Sequence, residues 1–161
     1  MTKYMEKIPV LDYLRKVVNH ESVEGYVTFL QYPTAISETL KFKLTGIDHG
    51  EAHVSLKTDV KIHANQQGTV HGGMLCELAD AAIGTAHSTV IEEGESFTSI
   101  ELKINFFRPV WNDTLVAYAK PIQRGRTITV YQCTIENEMG KQVATVLSTV
   151  MTLRGDKAKG R

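Results

Sequence analysis

The sequence lacks several features that mark particular classes of protein. It has two cysteines, Cys76 and Cys133, in no Cys-x-x-Cys or Cys/His spacing, so we expect neither a metal site nor a cofactor. Both lie in apolar segments and predict buried free thiols in a reducing, cytoplasmic setting. No apolar run reaches the length of about 18 residues that a membrane-spanning helix needs. The first seven residues also lead into no apolar run, so no signal peptide is expected.

The chain carries no excess of either charge. Its 161 residues include 18 Lys and Arg against 18 Asp and Glu, a formal net charge of zero. Because proteins that bind nucleic acid normally present a basic face, we expect no nucleic-acid partner. The absence of a long apolar run likewise predicts no membrane partner. The apolar fraction of 42% is ordinary for a folded domain of this length, which is sufficient to bury a core.

The N-terminal segment has helical patterns. Apolar residues recur at helical spacing over 10–18 and predict an amphipathic helix. Ser22 is a possible N-cap for a second short helix, which Pro33 would end. We therefore interpret residues 1–37 as a helical extension that covers the sheet formed by the rest of the chain.

The remainder alternates apolar and polar residues in the manner of β-strands. Residues 39–47 and 51–58 flank a turn at Asp48-His49-Gly50 and predict a hairpin. A polar loop over 59–71 and a helix over 72–88 follow, and then four strands near 100–106, 113–120, 126–136 and 141–153. Short turns favour antiparallel pairing. Residues 38–153 thus predict an α+β domain, with a curved six-stranded, mainly antiparallel sheet around a long central helix, and 154–161 a flexible basic tail.

The central helix has two different faces. The apolar side comprises Met74, Leu75, Leu78, Ala79, Ala82, Ile83 and Ala86. Glu77, Asp80, Gly84 and His87 lie opposite, in a stretch that contains no Lys or Arg. Acids among small residues indicate a contact face for a ligand or a second chain, although a solvated polar face is the alternative.

The start of this helix favours the binding of an oxygen that acquires charge. The first N–H groups of a helix lack intrahelical partners and carry the positive end of the dipole. Gly72 and Gly73 have no side chains to block access to them. The arrangement suits an anion or a polarised carbonyl oxygen, and the alternative is that the glycines only permit a turn.

The combined pattern resembles a known family. Asn65, His71-Gly72-Gly73, Asp80 and Ser99, followed by Ile-Glu-Leu-Lys-Ile-Asn-Phe-Phe-Arg-Pro, resemble the hotdog-fold acyl-CoA thioesterases. The closest similarity is to their PaaI-like branch, over about residues 38–153. The resemblance implies hydrolysis of acyl-CoA thioesters to the free acid and coenzyme A. A hotdog dehydratase for acyl thioesters and a non-catalytic acyl-CoA sensor are the alternative functions.

The resemblance also implies residue roles. Asp80 would be the general base or nucleophile, and the Gly72 N–H would bind the carbonyl oxygen. Asn65 would place the thioester and water, His71 would shape the loop, and Ser99 would orient the water. Ser99 is out of phase with the apolar row that includes Ile100, so its direction is left open, and Glu77 is a rival base. The residues implied in substrate binding are Gly73, Met74, Arg124, Arg126 and Thr127, the last three at the turn for coenzyme A phosphates.

The spacing of the two principal residues predicts a shared site. Asp80 lies eight residues beyond Gly72, or about 12 Å along the same helix. A general base must approach within about 3 Å, or one water, of the group that it activates. We therefore expect a symmetric homodimer in which Gly72 of one chain meets Asp80 of the other. The family resemblance implies dimers or dimers of dimers, so a homotetramer is also expected.

Overall fold

The computed structural model describes residues 5–159, and its first elements share an apolar cluster at the N-terminal end of the chain. Helix α1 spans Val10–Val18, as predicted, and short parallel strands β1 (Glu6–Lys7) and β2 (Tyr26–Val27) pair beside it. Val10, Tyr13 and Leu14 of α1 are buried in a separate apolar cluster. The predicted extension and tail also include residues 1–4 and 160–161, which lie outside the described residues.

The predicted helix at Ser22 is wrong. The Ser22 hydroxyl accepts the N–H of Glu24 in a turn, at 3.2 Å, and Gly25 has a left-handed φ of +87°. That conformation cannot continue a right-handed helix. Helix α2 (Ala35–Leu40) forms instead, with Thr34 as its N-cap. Residue 37, the predicted end of the extension, therefore lies within α2, and the first sheet strand starts at residue 43.

The six-stranded antiparallel sheet predicted from the alternation is confirmed. Its strands are β3 (Lys43–Asp48), β4 (Glu51–Lys57), β5 (Ser96–Phe106), β6 (Thr114–Arg124), β7 (Ile128–Glu136) and β8 (Gln142–Leu153). They are arranged in the order β3-β4-β6-β7-β8-β5, and every neighbouring pair is antiparallel. Strands β3 and β5 therefore form the two edges.

A long helix packs across this sheet. Two helices follow β4, namely α3 (Val60–His63) and α4 (Gly72–Ser88). Helix α4 has the predicted bounds and contacts five strands, from β4 to β8. Its Leu78, Ala82 and Ile83 have no exposed surface and lie at the centre of the core. Among the described residues, no helix is long and apolar enough to cross a membrane.

Two local expectations fail. The predicted loop over 59–71 contains α3, because the Asp59 carboxylate accepts the Lys61 N–H at 2.8 Å and caps that helix. Cys76 is half-buried rather than fully buried, whereas Cys133 is buried, and burial raises the pKa of its thiol to about 12. Within the predicted tail, residues 155–158 form one turn of 3₁₀ helix.

Candidate functional site

The loop before α4 is held by the side chain of Asn65. Its Oδ1 accepts the N–H groups of Gln67, at 2.9 Å, and Thr69, at 3.3 Å, while Nδ2 donates to the Thr69 hydroxyl. Ala64 and Val70 form a bridge that closes the loop at its base. Asn65 therefore fixes the loop, and it also lines a cleft of about 460 Å³ beside the start of α4.

His71 and the two glycines form the start of α4. The Gly73 N–H donates to His71 Nδ1 at 2.8 Å, so a neutral His71 carries its proton on Nε2. The Gly72 N–H, by contrast, donates no hydrogen bond within residues 5–159. It lies at the positive end of the helix dipole. Of the two glycines in the predicted motif, Gly72 is thus the one whose N–H is open to a ligand.

A neighbouring aromatic ring lies close to Gly72. A Cβ at this position would lie 2.9 Å from Cζ of Phe106, which is tighter than ordinary van der Waals contact. The Phe106 ring at the end of β5 therefore covers the helix start closely. Phe106, the last apolar residue of the predicted strand, is 52% exposed and borders the cleft beside Gly72.

Asp80 and Ser99 are brought together from α4 and β5. The Ser99 hydroxyl donates to Asp80 Oδ1 at 2.9 Å. A register shift between Ser99 and Glu101 explains how the serine reaches the helix, since an extra residue in a strand reverses the alternation that follows it. Ser99 and Leu102 face α4, while Ile100, predicted in the inward row, is 53% exposed.

Two other residues of α4 lie beside Asp80. Glu77 and the half-buried Cys76 line the same open cleft, of about 450 Å³, together with Gly73. Burial raises the pKa of the Glu77 carboxyl, and the neighbouring Asp80 charge raises it further. Glu77 therefore keeps its proton to higher pH than an ordinary glutamate. Met74, the predicted acyl contact, is half-buried and packs against the main core.

The structure does not bring Gly72 and Asp80 together within one chain. Asp80 bonds to Ser99 in the first half of β5, whereas Gly72 lies under Phe106 at its end. Ser99 and Phe106 are seven positions apart along this strand, which corresponds to about 24 Å in regular extended backbone. The separation expected from helix geometry is therefore present in the folded protomer.

The turn predicted to bind phosphate lies at the other end of the molecule. Arg124 is the last residue of β6, and Arg126 and Thr127 lie in the turn that leads to β7. All three are exposed. The Thr127 carbonyl accepts the N–H of Thr152, whose hydroxyl lies 2.9 Å from His87 Nε2 in the last turn of α4. The turn is thus close to the C-terminal end of α4, and Gly72 is at the opposite end.

His87 belongs to the core rather than to an open acidic face. It is 1% exposed, and its Nδ1 lies 3.3 Å from the hydroxyl of Tyr131. Burial, together with the charge of Arg124, lowers the pKa of His87 to about 4, so the imidazole is neutral near pH 7. The sheet covers this end of the helix on the side that the helical wheel assigned to polar residues.

The site contains hydrogen-bonding and acid–base groups. Within residues 5–159, no cluster of three His, Cys, Asp or Glu side chains is placed to hold a metal ion. One carboxylate oriented by a hydroxyl and one open N–H at a helix start are groups suited to attack on a carbonyl carbon.

Comparison with known proteins identifies the family. A model of the thioesterase superfamily matches residues 67–144, which include His71, Gly72, Asp80 and Ser99. The 1,4-dihydroxy-2-naphthoyl-CoA hydrolase of Listeria monocytogenes is 30% identical over 108 residues, 66% of this chain and 85% of that protein. The chain belongs to the thioesterase superfamily.

Further similarities agree with this assignment. The structure of the E. coli PaaI protein, from the phenylacetic acid degradation operon, is 28% identical and superposes with a TM-score of 0.68. The alignment covers 78% of this chain and 88% of PaaI. A Haemophilus influenzae relative with an esterase name is 36% identical over 74 residues, 46% of this chain but 54% of its own length. The predicted hotdog fold and PaaI-like membership are confirmed.

Proposed function

We propose that this protein hydrolyses acyl-CoA thioesters to a free acid and coenzyme A. The observation that carries the proposal is the Ser99–Asp80 hydrogen bond of 2.9 Å, in an open cleft on the same helix as the free Gly72 N–H. Superfamily membership supports thioester hydrolysis as the class of chemistry. The name of the Listeria relative supports a coenzyme A thioester as the substrate type.

In the proposed reaction, Asp80 acts as the general base. The thioester carbonyl oxygen accepts the Gly72 N–H, which stabilises the charge that develops when water attacks. Asp80 removes a proton from that water, and the Ser99 hydroxyl keeps one carboxylate oxygen fixed. The tetrahedral intermediate then breaks its C–S bond, and the thiolate receives the proton. Direct attack by Asp80 on the carbonyl is the variant in which this residue is the nucleophile.

The loop residues support this chemistry. Because His71 Nδ1 accepts the Gly73 N–H, its Nε2–H points away from that bond and can donate to the departing sulfur. Asn65 holds the loop in the shape that leaves the Gly72 N–H open. Gly73 and Met74 border the bound thioester in this proposal.

The proposed active unit is a homodimer joined through β5. This 11-residue edge strand pairs with β8 on one side, and no other described strand covers its second edge. An exposed edge of this length is a template for pairing with another chain. Antiparallel pairing about a two-fold axis near Leu102 and Lys103 places Ser99 close to the partner's Phe106. Each site then combines Asp80 of one chain with Gly72 of the other.

The same symmetry brings the turn at Arg124, Arg126 and Thr127 towards the partner's site. Helices that run antiparallel across the two-fold axis bring the C-terminal end of one α4 towards the start of the other. Arg124, Arg126 and Thr127 then approach the site that contains the partner's Gly72, and we propose that they contact the coenzyme A phosphates. We also propose that two such dimers pair into a tetramer and that the protein is located in the cytoplasm.

The direct test is thiol release from a panel of acyl-CoAs, measured with a thiol reagent. Hydrolysis of at least one acyl-CoA by the purified protein is the expected result. Binding of several acyl-CoAs without cleavage would contradict the enzyme and favour a non-catalytic sensor. Formation of an unsaturated acyl-CoA from a 3-hydroxyacyl-CoA would instead favour a dehydratase.

The shared site has a sharper test in mixed dimers. Asp80→Asn and Gly72→Pro chains with different tags are co-expressed, and dimers carrying both tags are purified. Each mixed dimer has one unaltered site and one site with both changes, so we expect about half of wild-type activity. Dimers with the same change under both tags are the controls and remain inactive. Inactive mixed dimers would show that Asp80 and Gly72 act from the same chain.

A further inference from the structure

A third cavity lies beside the central helix, away from the clefts at Asp80 and Gly72. It has a volume of about 610 Å³ and is enclosed by the N-terminal extension, the β3–β4 hairpin and α4. Its apolar walls include Leu14, Val17, Val18, Phe42, Leu44 and Val54. Both the volume and the apolar lining are typical of pockets for small ligands, which occupy about 300–1,000 Å³.

One wall of this cavity is the helix that carries Asp80. Ala81 and Thr85 line the cavity, and with Glu77 they form a stripe along α4 at intervals of four residues. Ala81 directly follows Asp80, about 100° around the helix. Its side chain is a single methyl group, so an extended chain can pass over it from the Asp80 side towards the cavity.

The N-terminal part of the chain forms the opposite wall of the cavity. Helices α1 and α2 lie outside residues 67–144, the segment that matches the superfamily. This wall is tied to the rest of the molecule, since the Tyr32 hydroxyl lies 2.5 Å from that of Ser88 and Arg15 bonds to Asp48 at 3.0 Å. The extension therefore forms a fixed boundary for whatever occupies the cavity.

We propose that this cavity binds the apolar tail of a medium-length acyl group whose thioester carbonyl is held beside Asp80. The proposal rests on the proposed thioesterase function and assigns the N-terminal extension as the wall that sets acyl preference. The carbonyl and sulfur stay on the Asp80 side of α4. The hydrocarbon chain crosses Ala81 and enters the space between α1, β3 and β4, where it loses contact with water.

The test fills the cavity from two sides that are distant from the proposed chemistry. Val18→Trp adds volume from α1, and Ser37→Leu does so from α2, so the conclusion does not depend on one variant folding. We expect each to reduce kcat/KM for octanoyl-CoA by about tenfold or more. For acetyl-CoA, which does not reach the cavity, the change is expected to stay below about twofold. Asp12→Trp, on the exposed side of α1, is the matched control and should change neither value.

Two results would overturn the acyl-tail assignment. One is equal loss of acetyl-CoA and octanoyl-CoA hydrolysis in both variants, and the other is unchanged octanoyl-CoA hydrolysis in both. Thermal unfolding of each variant identifies any that fails to fold.

Binding of octanoate, measured by calorimetry, separates this proposal from the enzyme function. If the wild-type protein cleaves no acyl-CoA, the thioesterase proposal fails. In that case, octanoate binding that is lost in Val18→Trp and kept in Asp12→Trp still supports a site in the cavity for the hydrocarbon chain of a carboxylic acid. Absence of octanoate binding, or equal binding by all variants, contradicts the cavity assignment.

Discussion

The two halves of helix α4 have opposite relations to solvent. In the first half, the Gly72 N–H has no partner within residues 5–159, and Glu77 and Asp80 face an open cleft. In the second half, His87 and Ser88 are each 1% exposed, and both make hydrogen bonds to other elements. One helix therefore presents reactive groups at its start and fixes its position in the core with its end.

This difference follows from how the sheet covers the helix. Phe97 of β5 lies 5.2 Å from the His87 ring, centroid to centroid, and closes the polar side of the second half. At the first half, the same side of α4 faces the free edge of β5. The anchored half can hold the open half in place, which is the rigidity that a catalytic group needs.

The largest expected effect is that of Asp80→Asn. If Asp80 is the base, the amide should lower kcat/KM by about 10²–10⁴-fold, because it cannot accept the proton of water. Thiol release measures the loss, and thermal unfolding should be nearly unchanged because the site is open. Glu77→Gln, the matched change one turn earlier, should have an effect below about threefold. A larger loss for Glu77→Gln than for Asp80→Asn would assign the base to Glu77.

The next effect concerns the open N–H at the helix start. Gly72→Pro removes this donor at the first helical residue, where proline is tolerated, and His71 already has an extended ψ of 133°. Gly72→Ala keeps the N–H but introduces the same Cβ contact with Phe106. We expect Gly72→Pro to lower kcat by about 10²-fold more than Gly72→Ala. Equal rates for the two variants would remove the oxyanion role from Gly72.

In the second half of α4, which His87 and Ser88 anchor in the core, the expected effect is on how the free energy of unfolding depends on pH. The pKa of His87 is about 4 in the folded protein and 6.5 in its ordinary state. Between these values the unfolded chain binds the proton more readily, so the free energy of unfolding falls as pH decreases from 6.5 to 4. The loss is at most about 3 kcal/mol.

Urea unfolding at several pH values measures this dependence. His87→Gln should flatten the fall relative to wild type. Parallel stability curves for wild type and His87→Gln would contradict the assignment to His87.

The smallest expected effect is that of Ser99→Ala. Removal of the hydroxyl frees one oxygen of Asp80, which should lower kcat/KM by about tenfold, the equivalent of one hydrogen bond to a charged group. Ser99→Thr keeps the hydroxyl and is expected to recover most of the activity in the same assay. A fully active Ser99→Ala variant would show that α4 alone orients Asp80.

Much of the fold could be predicted because its patterns are local. The helix over 10–18 has the predicted bounds because its apolar periodicity is strong. The helix over 72–88 also has the predicted bounds, although it is apolar over most of its surface. The segment after Ser22 was not predictable in the same way. Its helical pattern is weak, and the left-handed conformation of Gly25 prevents a helix from continuing. The apolar residues of this segment pack against α1 and β3.

The arrangement of the site was only partly accessible from the pattern of residues. Spacing along one helix showed that Gly72 and Asp80 cannot meet within a chain, because helix rise is fixed. The direction of Ser99 could not be settled, because it depends on a strand bulge opposite β8. The burial of His87 was also missed, since a helical wheel does not contain the strands that pack around it.

The family motif, the secondary structure of the main domain and the separation of Gly72 from Asp80 follow from the amino-acid sequence. These depend on residue identity and on the geometry of short segments. Tertiary structure alone decided which N–H of the double glycine is open, how Ser99 reaches Asp80 and where the extension leaves a cavity. Each of these results from contacts between residues far apart in the chain, such as Gly72 with Phe106 and Tyr32 with Ser88. No local pattern encodes such contacts.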